Sequence, residues 1–131
     1  ENLGIASKWS HRHTAYAAGL GTFGLNDGFI SERGIAIRIS SIIVEADMDV
    51  TPRGDRGPYD WCLYFQNGRC SACIKRCPVD AISKDGHDKQ RCLDYEDESV
   101  AKYWPSHIDK KNYIFGCGIC QSKVPCRDRR P

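Results

Sequence analysis

The chain has 131 residues, 40% of them hydrophobic, with 19 basic and 17 acidic side chains for a formal charge of +2. No apolar run approaches the roughly 18 residues of a membrane span, and no basic start leads into an apolar stretch, so neither a membrane nor an export signal is expected. Lys and Arg are dispersed among Asp and Glu, which leaves no direct electrostatic case for nucleic acid.

In chain order, Ser10 is an expected N-cap, His11 to Ala18 is helix-compatible, and Gly19 and Gly21 end that helix. Asn26-Asp27-Gly28 is a turn signal. Ile35, Ile37 and Ile39 alternate with Ala36 and Arg38, and Ile42-Ile43-Val44 follows, which predicts a β-strand over 35–44 with one buried face. Residues 45–60 hold two prolines, two glycines and many charges, and read as a loop or linker. Beyond Cys62, short helical stretches alternate with polar loops such as Ser83 to Arg91. The expected organisation is a 1–60 segment followed by a second domain over 61–131.

All eight cysteines lie between Cys62 and Cys126. Such clustering argues for a cysteine-built site rather than a disulfide-stapled scaffold. The central run is Cys70-Ser-Ala-Cys73-Ile-Lys-Arg-Cys77-Pro78. A Cys-x2-Cys pair brings two thiolates within one turn onto the same centre, whereas a cysteine four residues further on, followed by Pro, faces another centre. This is the logic of the bacterial ferredoxin run C-x2-C-x2-C-x3-C-P. Asn67 stands where that run has its first cysteine, and Cys62 supplies the missing thiolate if Tyr64 to Gly68 loops out.

Downstream come Cys92, Cys117-Gly-Ile-Cys120 and Cys126, the second group resembling a degenerate repeat of the first. If the two groups exchange their last ligands, one [4Fe-4S] cluster takes Cys62, Cys70, Cys73 and Cys126. The other takes Cys77, Cys92, Cys117 and Cys120. No cysteine is left over. A zinc site from Cys70, Cys73, Cys117 and Cys120 has suitable spacing but strands four cysteines. Disulfides would need an oxidising compartment, and the expected location is the cytoplasm. Cys62 as a buried free thiol is the plain alternative for that one residue.

Gly19-Leu-Gly21-Thr-Phe-Gly24 fits G-x-G-x-x-G, with Glu45 some way downstream. A dinucleotide site needs those glycines to follow a strand and open a helix. Here they follow a helical stretch and enter a turn, so that reading is rejected.

The same stretch carries a resemblance. Arg12-His13-Thr-Ala-Tyr16-Ala-Ala-Gly19-Leu-Gly21-Thr-Phe-Gly24, then Asn26, is similar to the AGLG-x-x-G segment of the epoxyqueuosine reductase family, and a related segment occurs in reductive dehalogenases. The cysteine pattern looks like a divergent branch of the two-cluster module that follows that segment. The resemblance extends over about residues 10–130. It implies an α+β fold, a ferredoxin-like dicluster [4Fe-4S] module with a small preceding helix-turn-strand segment. It also implies electron delivery to a corrinoid, so cobalamin enters on the resemblance alone, with a redox protein or a cobalamin-binding domain as partner. The catalytic half of such an oxidoreductase would lie outside this chain, and no residue here is assigned a catalytic role. Gly19, Gly21, Gly24 and Asn26 are implied as a cofactor-facing loop, set against a packing and turn role for the glycines. Tyr16 and His13 could face a pocket, set against an ordinary helix-face role that their spacing favours. A stand-alone dicluster ferredoxin and a structural zinc module are the competing functions.

Overall fold

The structure is a computed structural model and describes residues 8–49, 54–103 and 116–131. Helix α1 covers His11–Ala17. Ser10 is extended, and its Oγ accepts from the backbone N–H of His13 at 3.4 Å, which starts the helix as expected. At the other end Gly19 is left-handed (φ 73°). Its N–H donates to Tyr16 O (2.9 Å) and that of Leu20 to Ala15 O (3.0 Å). This pair of bonds is a Schellman motif, and it needs the residue without a Cβ at position 19.

Strands β1 (Gly21–Phe23) and β2 (Phe29–Ser31) form an antiparallel hairpin pairing Gly21 with Ser31, Thr22 with Ile30 and Phe23 with Phe29. Asn26-Asp27-Gly28 sits in its loop. Gly24 N–H bonds Gly28 O at 2.8 Å, and Asn26 Oδ1 accepts from Gly28 N–H at 3.2 Å. The turn was legible; the three-residue strands beside it were too short to show a period.

The strand expected over 35–44 does not form. Ile35 N–H bonds Cys126 O (2.8 Å) and Ala36 N–H bonds Arg127 O (3.0 Å), and residues 37–44 form no strand. The alternation survives as burial: Ile35 is buried, Ile37 and Ile39 are half-buried, Ala36 and Arg38 are exposed. Beyond them Ile42 and Ile43 are 84% and 88% exposed. A period of two specifies which side chains face inward, but a strand also needs a neighbouring backbone along its length. Residues 45–49 and 54–60 hold no helix or strand, as expected for a loop; residues 50–53 lie outside the described residues.

Helices α2 (Leu63–Asn67) and α3 (Ala72–Arg76) flank the first cysteines. The Tyr64 to Gly68 stretch, expected to loop out, is a helical turn closed by left-handed Gly68 (φ 68°). Ser83 to Arg91, expected as a polar loop, contains part of a second hairpin, β3 (Ile82–Ser83) with β4 (Gly86–His87), and the start of α4 (Lys89–Tyr103). Asp88 starts that helix, its Oδ1 accepting from Arg91 N–H at 3.0 Å. Its polar sequence, KQRCLDYEDESVAKY, lacks a continuous apolar stripe and so gave little periodic signal. Short helices and two small hairpins make the chain α+β.

One core joins Leu25, Ile30 and Ile35 to Trp61, Cys62, Ile82 and Val124. It therefore draws on residues from both sides of position 60. Thr22, wholly buried, accepts from Trp61 N–H through Oγ1 at 3.0 Å and fixes the hairpin against the start of the cysteine-bearing half. Among the described residues no helix is long and apolar enough to cross a membrane.

Candidate metal centre

Two cavities flank this core. Cys62, Cys70, Cys73 and Cys126 line the first, with Leu25, Ile30 and Val124 as its apolar wall. Cys77, Cys92, Cys117 and Cys120 line the second, together with Asp27, His87 and Glu96. All eight cysteines are free thiols. Among the described residues no three His, Cys, Asp or Glu side chains close on one point as ligands of a single ion do.

Local structure explains the division. Cys62 precedes α2, and Cys73 lies within α3, whose first turn follows Cys70. Cys77 caps the C-terminus of α3 with extended backbone, which directs the chain away before Pro78. Its Sγ accepts from Ala81 N–H at 3.2 Å. Cys92 lies on α4, one turn before Glu96. Gly118, left-handed at φ 63°, sets off a 3-10 turn over Ile119–Gln121 that presents Cys120. Glu96 Oε1 accepts from Cys117 N–H (3.0 Å) and lies 4.0 Å from Cys92 Sγ.

The electrostatics follow the same division except at Cys120, which acts on both groups. Burial pushes the Cys73 thiol up to about 11, and the neighbouring sulfurs of Cys62 and Cys70 add to the rise. Burial likewise raises Cys126 to about 11, again with Cys62 and Cys70 as neighbours. Cys92 reaches about 11 through burial, then the Glu96 carboxylate, then Cys120, Cys117 and Cys77. Cys120 is raised by burial, against the opposing pull of the Asn26 amide, with Cys117 and Cys77 adding to the rise. Cys120 also adds a small further rise at Cys73 and Cys126.

Of the loop residues, Gly19 ends α1, and Gly21 lies where a Cβ would meet Ile30 O at 2.1 Å and the Phe29 ring at 2.8 Å. Gly24 lines the first cavity. Asn26, only 6% exposed, lines both cavities. His13 and Tyr16 pack their rings against Phe23, at centroid distances of 4.9 and 5.8 Å. Sequence reasoning missed Glu96. Its i, i+4 relation to Cys92 would have placed it beside that thiol once the helix was recognised.

A soft donor set of four thiols in the wall of each of two cavities, the first of them apolar, suits iron–sulfur clusters. Residues 66–126 match the family of 4Fe-4S double cluster binding domains. This is an iron–sulfur protein. The chain is also similar to the epoxyqueuosine reductase of Leadbetterella byssophila, 34% identical over 113 residues, which are 85% of this chain and 35% of that protein. The epoxyqueuosine reductase of Cyclobacterium marinum is 30% identical over 118 residues, 87% of this chain and 36% of that protein. That of Lactococcus garvieae is 32% identical over 114 residues, 85% of this chain and 30% of that protein. The iron–sulfur chain thus spans about a third of the length of these curated relatives. No solved structure gives a significant match.

Proposed function

We propose that this chain holds two [4Fe-4S] clusters and serves as the electron-delivery part of a reductase of the epoxyqueuosine reductase type. Cys62, Cys70, Cys73 and Cys126 hold one cluster; Cys77, Cys92, Cys117 and Cys120 hold the other. The cluster-bearing part is residues 61–131, preceded by the 1–60 segment. The observation that carries this reading is that each cavity has one of these four-thiol sets in its wall.

The clusters supply one-electron redox chemistry when bound. The chain's own residues do the rest. Eight thiolates hold the iron, and Leu25, Ile30 and Val124 keep water from the first site. Ala81 N–H steadies the Cys77 sulfur, and Glu96 anchors the Cys117 backbone beside Cys92. The receiving cofactor is a corrinoid held by a partner domain, as the family resemblance of the Gly19 to Asn26 segment implies.

Iron and acid-labile sulfide analysis of anaerobically purified protein tests the reading. Two four-iron clusters give about eight iron and eight sulfide per chain. Zinc without sulfide would overturn it.

A further inference from the structure

Asn26 stands between the two cavities, and among the described residues it alone lines both. Its side chain is not shared evenly. Oδ1 is committed to the hairpin loop, where it accepts from Gly28 N–H at 3.2 Å. Nδ2 points the other way and reaches Cys120, with Cys120 O at 3.4 Å and Cys120 Sγ at 3.5 Å. An amide NH2 carries two hydrogens, so one serves the carbonyl and the other the sulfur. Sulfur is a large acceptor, and 3.5 Å lies within its bonding range.

The loop geometry fixes this orientation. Because Oδ1 is held by the Gly28 N–H, the amide cannot rotate to present oxygen to the thiol without breaking the turn. Cys120 in turn is presented by the 3-10 turn in the wall of the second cavity. A buried donor is thus aimed at one sulfur of one site, and among the described residues it bonds no sulfur of the other.

We infer that Asn26 sets the relative reduction potentials of the two clusters, raising that of the cluster held by Cys120. The inference rests on the proposed assignment of Cys77, Cys92, Cys117 and Cys120 to one cluster. Adding one electron to a cluster forms and breaks no bond; it increases the negative charge spread over iron and sulfur. An N–H donated to a ligand sulfur stabilises that extra charge, and hydrogen bonds to the sulfurs are among the determinants of cluster potential. An electron given to the pair is therefore drawn toward the side that carries the amide. This is a positioning and tuning role: Asn26 acts on the electron through Cys120.

The test is an EPR-monitored redox titration of the cluster-loaded chain, with dithionite as the electron source, on wild type, Asn26→Asp and Asn26→Leu. Asn26→Asp keeps an oxygen for Gly28 N–H and replaces the donor with a carboxylate. Asn26→Leu removes both functions at similar volume. The expected result for Asn26→Asp is unchanged iron content, a lower midpoint for the signal lost in Cys92→Ala, and a midpoint for the other signal that stays put. Asn26→Leu shifts the same signal in the same direction, by less. In half-reduced samples of both variants, the share of spin on that cluster falls.

Identical midpoints in wild type and Asn26→Asp, with iron retained, would overturn the inference. Loss of iron from both sites in Asn26→Asp would overturn it too, leaving Asn26 a folding residue. Wild-type protein with zinc and no sulfide would defeat the two-cluster reading itself, a failure separable from the others by its metal content.

Discussion

The backbone N–H of Ile35 donates to the carbonyl of Cys126 at 2.8 Å. That single bond places the last cysteine of the chain against the segment just past the first hairpin, and with it the fourth thiol of the first cavity. Ala36 N–H repeats the contact one residue on, to Arg127 O at 3.0 Å. Cys126 lies 64 positions beyond Cys62, and the two meet because the chain's C-terminal end is stitched to residues 35 and 36.

Gly34 makes this junction sensitive. Its φ is +86°, and a Cβ there would lie 2.3 Å from Arg127 O and 2.5 Å from Arg129 N. A left-handed backbone costs a residue with a side chain about 1–2 kcal/mol, before any clash is counted. The backbone atoms of 127 and 129 cannot yield as a flexible side chain would. Gly34→Ala is therefore expected to destabilise the protein by at least about 2 kcal/mol. It should also loosen the site of Cys126 before that of Cys92. Denaturant unfolding measures the first effect, and iron content at low denaturant measures the second.

The thiols dictate a pH dependence for cluster assembly. Burial holds Cys73, Cys92 and Cys126 at about 11 in the metal-free chain, above the ordinary thiol value of 9.0. Iron binds thiolate, so loading must release these protons. A raised value makes thiolate scarcer at neutral pH, and its population grows as pH rises toward 11. Initial rates of iron uptake by the chelator-stripped protein, with iron and sulfide in excess, are therefore expected to increase from pH 7 to pH 9. A flat profile would mean that these thiols are already ionised.

Much of the site was legible from spacing, and much of the fold was not. Cys70, Cys73 and Cys77 declare themselves because ligand spacing is a covalent constraint that survives without knowing the fold. The start and end of α1 were readable for a similar reason: Ser10 and Gly19 act locally. The 35–44 stretch misled because its alternation reports burial, and burial is present at Ile35 without a strand to either side of 37–44. α4 was missed because its sequence lacks a continuous apolar stripe. The sulfur contacts of Ala81 and Glu96 join residues four apart in sequence and needed only the local turn or helix to be recognised. That of Asn26 depends on folding that brings residue 26 to residue 120, which no local pattern encodes.

The central claim is the division of eight thiols into two sets of four, and Cys126→Ala against Cys92→Ala tests it most directly. Both variants, purified anaerobically and reduced, are compared by iron content and EPR. Each is predicted to keep about half the iron of a two-cluster chain. Each should also lose a different signal, Cys126→Ala sparing the cluster that Cys92 helps to hold. Loss of the same signal in both variants would contradict the account.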